Sequence, residues 1–482
     1  MVRRTATAAL ASPVLLALGA SPVAAHAFGQ RYDLPLPLWL YTTGAGAIVA
    51  LSFVVVALFL GRGHDDSDTR SVDALRVSGQ GWFWVRWVIK CVQIASVAVF
   101  ALIVTACFIG KPDPFDNIAP TFVWVIWWVG LAFFSALVGN LWDLVNPWRI
   151  LFQWATRRRD PDVVFRPYPA WLGYWPAVFF LLIFAWMELI SENGEKPRVL
   201  GALIVLYSLL TWAGMVRFGC EPWLRHGEVF TVVFGVLARF APLSGQSGTL
   251  RLRFPATGLL VCDPVPISYV CLVLLLLTSV TYDGILETPF WRSLVAWISE
   301  STTLRGTLLF LQDGGINLLM LIKTIALVVM TSLFTGAYLA VSGLIRRAGS
   351  GRMSLRGLAG SFVLSIVPIA IAYHLAHYLS YLLIAGQNII PLASDPFGAG
   401  WDLFDTRNYR LDLGIVNAKM VWYVAVSGIV IGHVVAVYVA HAMALRVFPT
   451  ARQALFSQIP MLLLMVGYTM VSLWILSQPI VA

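Results

Sequence analysis

Two histidines three residues apart, His374 and His377, sit in a stretch reading YHLAHYLSY that is otherwise apolar enough to cross a bilayer. Helical positions i and i+3 share a face, so both imidazoles can address one point. Ionisable groups at membrane depth are costly and normally face a bundle interior, which marks the pair as a candidate site. The stretch runs on through Gln387 to Ser394-Asp395-Pro396-Phe397-Gly398 and Gly400-Trp401-Asp402.

Carboxylates gather at the same end. Asp283 and Glu287 stand four apart where an earlier span emerges, and Asp395 and Asp402 follow the histidine span. At about 1.5 Å per residue, His374 and the His433 of the next span both lie roughly 16 to 23 Å from their outer ends. A cup of His374, His377 and His433 with one or two of these carboxylates matches the mixed nitrogen and oxygen ligation of catalytic zinc. Such a metal acidifies a bound water and supplies hydroxide near neutral pH, with Asp283, Glu287 and Asp395 as the catalytic acids and bases. His441 lies two further turns inward, too deep for that set. Two other uses of the imidazoles stay open: a bis-histidine haem, or hydrogen bonds between helices worth about 0.6 kcal/mol each. HxxH stands without an HExxH or a Walker motif.

A second metal expectation concerns the N-terminus. Residues 1–27 read as a secretory signal: Arg3-Arg4, an apolar stretch from about Ala8 to Ala20, then Ala24-Ala25-His26-Ala27. Cleavage after Ala25 leaves His26 as the new terminus, whose amine and imidazole together chelate a metal such as copper. Cleavage after Ala27 discards it.

The elements that must position these groups are helices. Of 482 residues, 59% are hydrophobic and 12% charged, about half the charge fraction of a soluble protein. Apolar runs of spanning length recur, which predicts an all-α polytopic transmembrane helix bundle. The net charge of +9 reads as the positive-inside rule rather than as a nucleic-acid surface, because Lys and Arg collect in alternate loops. Spans are expected near 38–61, 84–110, 120–141, 171–190, 198–217, 266–282, 316–344, 359–385, 418–445 and 455–477. Residues 28–482 thus form a single domain of ten mature spans, with both mature ends outside and every Arg-rich loop on one side. The segment 218–262 carries an apolar run at 229–241 too short to span, so it lies flat in the interface or re-enters. Glu188 is expected to reach water. Lys323 is expected to snorkel, or to pair with Asp313 or a site carboxylate. The five cysteines read as packing residues.

The N-terminal AHAFGQRYDLPLPLW, followed by a first span, resembles the start of a bacterial family of polytopic proteins labelled fenitrothion hydrolase. The later HLAHYLSYLL and SDPFGAGWDLF are similar to that family's later segment. The resemblance implies a plasma-membrane organophosphorus hydrolase that cleaves the P–O–aryl bond of a phosphorothioate triester, as one of two membrane subunits. Its partners are then the lipid bilayer, a small apolar substrate and a second membrane subunit, with no nucleic acid, and its cofactor a divalent metal, zinc or copper. The family carries no catalytic motif, so the site residues rest on spacing alone. The competing class is a copper or small-solute transporter, or an assembly factor for a respiratory metalloenzyme.

Overall fold

The computed structural model describes residues 34, 36–59, 72–76, 80–156, 166–246, 249–261, 263–349 and 353–481. The expected signal peptide, and His26 with it, lie outside the described residues. Among those described, nine helices are long and apolar enough to cross a membrane. They are α1 (Leu38–Phe59), α2 (Phe83–Ile109), α3 (Ile118–Leu137), α6 (Pro197–Phe218), α9 (Ile267–Leu286), α12 (Leu318–Ala348), α13 (Leu355–Ser394), α14 (Ala418–Val447) and α15 (Ala451–Gln478). Between them lie α4 (Pro147–Thr156), α5 (Trp175–Leu189), α7 (Cys220–His226), α8 (Val229–Ala238), α10 (Pro289–Glu300) and α11 (Arg305–Asp313). These apolar helices make the chain a multi-pass membrane protein.

One expectation shifts and another narrows. The span expected at 171–190 is the 15-residue helix α5, shorter than the rest because Pro169 to Tyr174 forms turns ahead of it. Of the two placements expected for the apolar run of 218–262, a flat interfacial one does not fit and a re-entrant one does: eight of ten residues of α8 are buried, and α8 packs against α3 and α5. Past it, β2 (Leu243–Gln246) and β3 (Thr249–Leu252) form a hairpin. The strand β1 (Val72–Arg76) joins β3 antiparallel, Val72 opposite Leu252. This small sheet escapes a reading based on apolar periodicity, since its strands are short and polar.

Burial ranks the helices. The apolar windows of α13 and α9 are 94% and 83% buried within the bundle, against 17% for α2 and α12. The two innermost helices are therefore the ones that carry His374, His377 and Asp283. α13 packs along α14, with α9 on another flank, while α1 and α15 close round α14. The α13–α14 contact depends on small residues. A Cβ on Gly432 would lie 2.4 Å from the Ala372 Cβ and 2.8 Å from the Pro368 carbonyl, and such close backbone approach is how membrane helices gain packing energy.

Local chemistry sets the ends. Ser354 starts α13 by accepting the Gly357 N–H at 3.1 Å, and Asn417 starts α14 by accepting from Met420 at 2.7 Å. Within α13, the Val363–Ile366 turn tightens to 3-10 geometry just ahead of Pro368. Proline has no N–H to donate and crowds the carbonyl four residues back, so the helix must adjust there. In α3, residues Thr121–Gly130 form a π-helix, a rare geometry that often marks functional sites.

Candidate functional site

Asp283 lies one turn before the end of α9 and is buried. Its Oδ2 accepts the Tyr378 hydroxyl at 2.8 Å and lies 2.9 Å from His377 Nε2. A carboxylate accepts only, so Nε2 carries a proton, and in the neutral form of the ring the lone pair is on Nδ1. Positions 377 and 378 are adjacent on α13, yet both reach one oxygen because α9 lies along that side of the helix.

The two histidines turn to different neighbours. His374 lies edge-on to Phe133 and Trp128 of α3, with ring centroids 5.4 and 6.2 Å away, and its Nε2 has no hydrogen-bond partner. The Tyr378 ring stands beside both imidazoles, 4.8 Å from each. His377 stacks parallel to Tyr373 at 6.4 Å. The Tyr373 hydroxyl is 3.0 Å from where a Cβ on Gly284 would stand, so glycine is what lets α9 approach here.

The remaining expected site residues scatter. His433 on α14 places Nδ1 2.8 Å from the Ile429 carbonyl of its own helix, and its ring lies 5.9 Å from Tyr468 of α15. Tyr468 shares a 2.6 Å hydrogen bond with Thr281. His433 thus spends Nδ1 on its own helix, and its buried Nε2, without a hydrogen-bond partner, belongs to no group of three donors with His374 among the described residues. His441 meets Gln458, with Nδ1 3.2 Å from Oε1 and 3.0 Å from Nε2, and stands edge-on to Phe53. Asp395 spends both oxygens on its own turn, accepting the Ala399 and Gly400 N–H groups at 2.8 and 2.7 Å. That turn needs glycine, because Gly398 and Gly400 have φ of +68° and +91°. Asp402 likewise caps Thr406 and Arg407. Glu287, one turn past Asp283, stays within electrostatic reach of His377 and Tyr373.

Among the described residues, no three His, Cys, Asp or Glu side chains are grouped to hold a metal ion. The expected cup fails on direction: i and i+3 share a face, but α9 and α3 flank that face from two sides and draw the two rings apart. Among the described residues, the donor set therefore does not fit a resident zinc or copper.

Two participants, Tyr378 and Glu188, are missed by spacing. Tyr378 looks like a belt aromatic until α9 is placed beside it. Glu188 does not simply reach water. It is half-buried at the end of α5, within electrostatic reach of Asp283 and with the Trp128 indole beside it. Lys323 does not snorkel but follows its other expected course, toward a site carboxylate: it is buried, its carbonyl accepts the Tyr282 hydroxyl at 2.8 Å, and its charge lies within reach of Asp283 and Glu192.

A cavity of about 470 Å³ lies on the other side of an aromatic wall. Trp124, Trp127, Phe184, Met187 and Phe230 are among its lining residues. The Trp128 ring packs 4.6 Å from Phe184 and 6.2 Å from His374, so it stands between cavity and histidine. The volume and apolar lining fit a small apolar molecule.

Deeper toward the Arg-rich end, Glu228 holds α8 in place. Its carboxylate accepts the Phe230 and Thr231 N–H groups at 3.0 and 2.8 Å and the Tyr207 hydroxyl at 2.6 Å, with Asn146 donating from 3.4 Å. Every contact satisfies the carboxylate, which reads as a buried helix cap.

Comparison of the chain with protein-family models, curated proteins and solved structures returns no match.

Proposed function

We propose that the chain is a membrane-bound acid–base catalyst that hydrolyses small apolar esters, with His377 as the base and Asp283 as the group that orients it. The observation that carries this reading is the shared Asp283 oxygen, which fixes the His377 tautomer and leaves Nδ1 to take a proton. The step balances without a metal. A water gives its proton to Nδ1, its oxygen attacks phosphorus, and the aryloxide leaves. Asp283 stabilises the imidazolium that forms, as the carboxylate does in catalytic triads.

Phosphotriesters and phosphorothioate triesters are the substrate class implied by the resemblance; the aromatic cavity beyond Trp128 would hold such an apolar molecule near the His377 centre but not in contact with it. A neutral triester partitions into lipid, so an intramembrane site meets it where it concentrates. The test is release of the nitrophenol from an aryl phosphorothioate by purified protein, wild type against Asp283→Asn and His377→Gln. Loss in both, with normal membrane insertion, supports the reading. Equal rates in all three proteins sink it.

A second reading rests on Glu188 and Lys323 beside Asp283. Buried acids and bases within one helix bundle are also the parts of proton-coupled transporters. Reconstituted vesicles separate the two: solute-dependent proton uptake without ester cleavage favours transport.

A further inference from the structure

At the Arg-rich end of the bundle, remote in the chain from Asp283 and His377, a cavity of about 250 Å³ opens between the end of α12, the start of α13 and the end of α14. Its lining combines two guanidinium side chains, Arg346 and Arg446, with Met353, Leu358, Val447 and Phe448. Arg446 is steadied by a 3.2 Å hydrogen bond from Nη1 to the Leu260 carbonyl. Gly349 closes the floor: a Cβ there would stand 2.0 Å from the Phe448 ring, so the helix end settles directly on that ring.

Among the described lining residues, the charged ones are both arginines. No Asp or Glu occurs between Gly314 and Ser394, or anywhere after Asp412, so neither stretch supplies a carboxylate to its own arginines. The positive-inside rule explains why arginines sit at this end. It does not explain why two of them, from helices about a hundred residues apart, line one apolar cavity.

We propose that this cavity binds the phosphodiester headgroup of an anionic phospholipid. The shared chemistry is a phosphate oxyanion, which guanidinium groups recognise through paired N–H donors. The apolar floor selects a lipid over free phosphate. The volume is below the usual range for a whole drug-sized ligand, which suits a headgroup whose acyl chains stay outside. Basic pockets between helix ends are a recurrent form of lipid recognition.

The experiment uses full-length protein in neutral detergent, with dioleoyl phosphatidylglycerol, dioleoyl phosphatidylcholine and inorganic phosphate as separate probes. Native mass spectrometry counts retained lipid, and a thermal scan records stabilisation. Phosphatidylglycerol is expected to bind and raise the melting temperature, phosphatidylcholine to do neither, and phosphate to have little effect. Arg346→Gln and Arg446→Gln each weaken phosphatidylglycerol binding about fivefold. Arg347→Gln, on the same helix turn but outside the lining, changes it little. Met353→Trp fills the cavity while keeping both arginines, and lowers binding as well. Equal retention of the two lipids by the wild-type protein would overturn the proposal, as would unchanged preference in both arginine variants. A shift from phosphate as large as that from phosphatidylglycerol would overturn the lipid assignment. None of these readouts depends on ester hydrolysis, so this site and the Asp283–His377 centre fail separately.

Discussion

His377 Nε2 and Asp283 Oδ2 meet at 2.9 Å between the two most enclosed helices of the bundle, and the Tyr378 hydroxyl takes the same oxygen. Asp283→Asn removes the charge but keeps the shape, and His377→Gln removes the base. Each is expected to lower ester hydrolysis by about 10²- to 10⁴-fold, measured as phenol release by protein that elutes and melts like wild type.

Tyr378→Phe deletes the hydroxyl's hydrogen bond to Asp283 without opening a cavity. A hydrogen bond to a charged group contributes about 1.5–3 kcal/mol, so a lower melting temperature is expected. Activity falls less than in Asp283→Asn because the His377 contact remains. A variant as inactive as Asp283→Asn would give Tyr378 a role in the reaction itself.

Chelation is expected to leave hydrolysis intact, since no three donors converge among the described residues. The check is the rate after dialysis against EDTA and after adding back zinc or copper. Loss that zinc restores would bring back a metal centre, with ligands drawn from outside the described residues, His26 among them.

Gly432→Val puts a branched side chain where a single Cβ already falls 2.4 Å from Ala372. Overpacking of this kind costs about 1–3 kcal/mol, and it acts on α13, which carries the histidines. Reduced yield and a lower thermal midpoint are the expected outcome. A wild-type midpoint would show that α13 and α14 can separate without penalty.

Glu228→Ala strips α8 of its cap and leaves the Tyr207 hydroxyl and two backbone N–H groups short of a partner. An unsatisfied buried group costs about 1–3 kcal/mol. The expected readout is earlier thermal unfolding, with faster proteolysis near 218–262. Glu228→Gln, which keeps an acceptor, is expected to recover part of the loss.

The helical bundle was legible because hydropathy is a one-dimensional signal. Asp283 and His377 stand out in the sequence as candidates, the histidine because ionisable groups are rare inside a span and the carboxylate because it lies where a span emerges. The partnership between them does not, since nothing in spacing says which helix lies beside which. For the same reason a metal cup looked attractive: His374, His377 and His433 have comparable depths, but depth ignores azimuth. Once α3 takes His374 and the Ile429 carbonyl takes His433, only one imidazole is left facing a carboxylate. Asp395 misled in another way, because the glycine-rich turn that consumes its oxygens reads in sequence like a loop with an acid to spare. Tyr378 and Glu188 became visible only through their neighbours.

The partners of the central pair are 94 residues apart in the chain. At about 5–20 residues per second, a ribosome delivers Asp283 roughly 5 to 20 seconds before His377 exists. Throughout that interval the carboxyl group near the end of α9 lacks both the His377 and the Tyr378 donors. Biogenesis of this protein therefore has a vulnerable window, closed only when α13 arrives, and an insertase or chaperone that shelters α9 would act there.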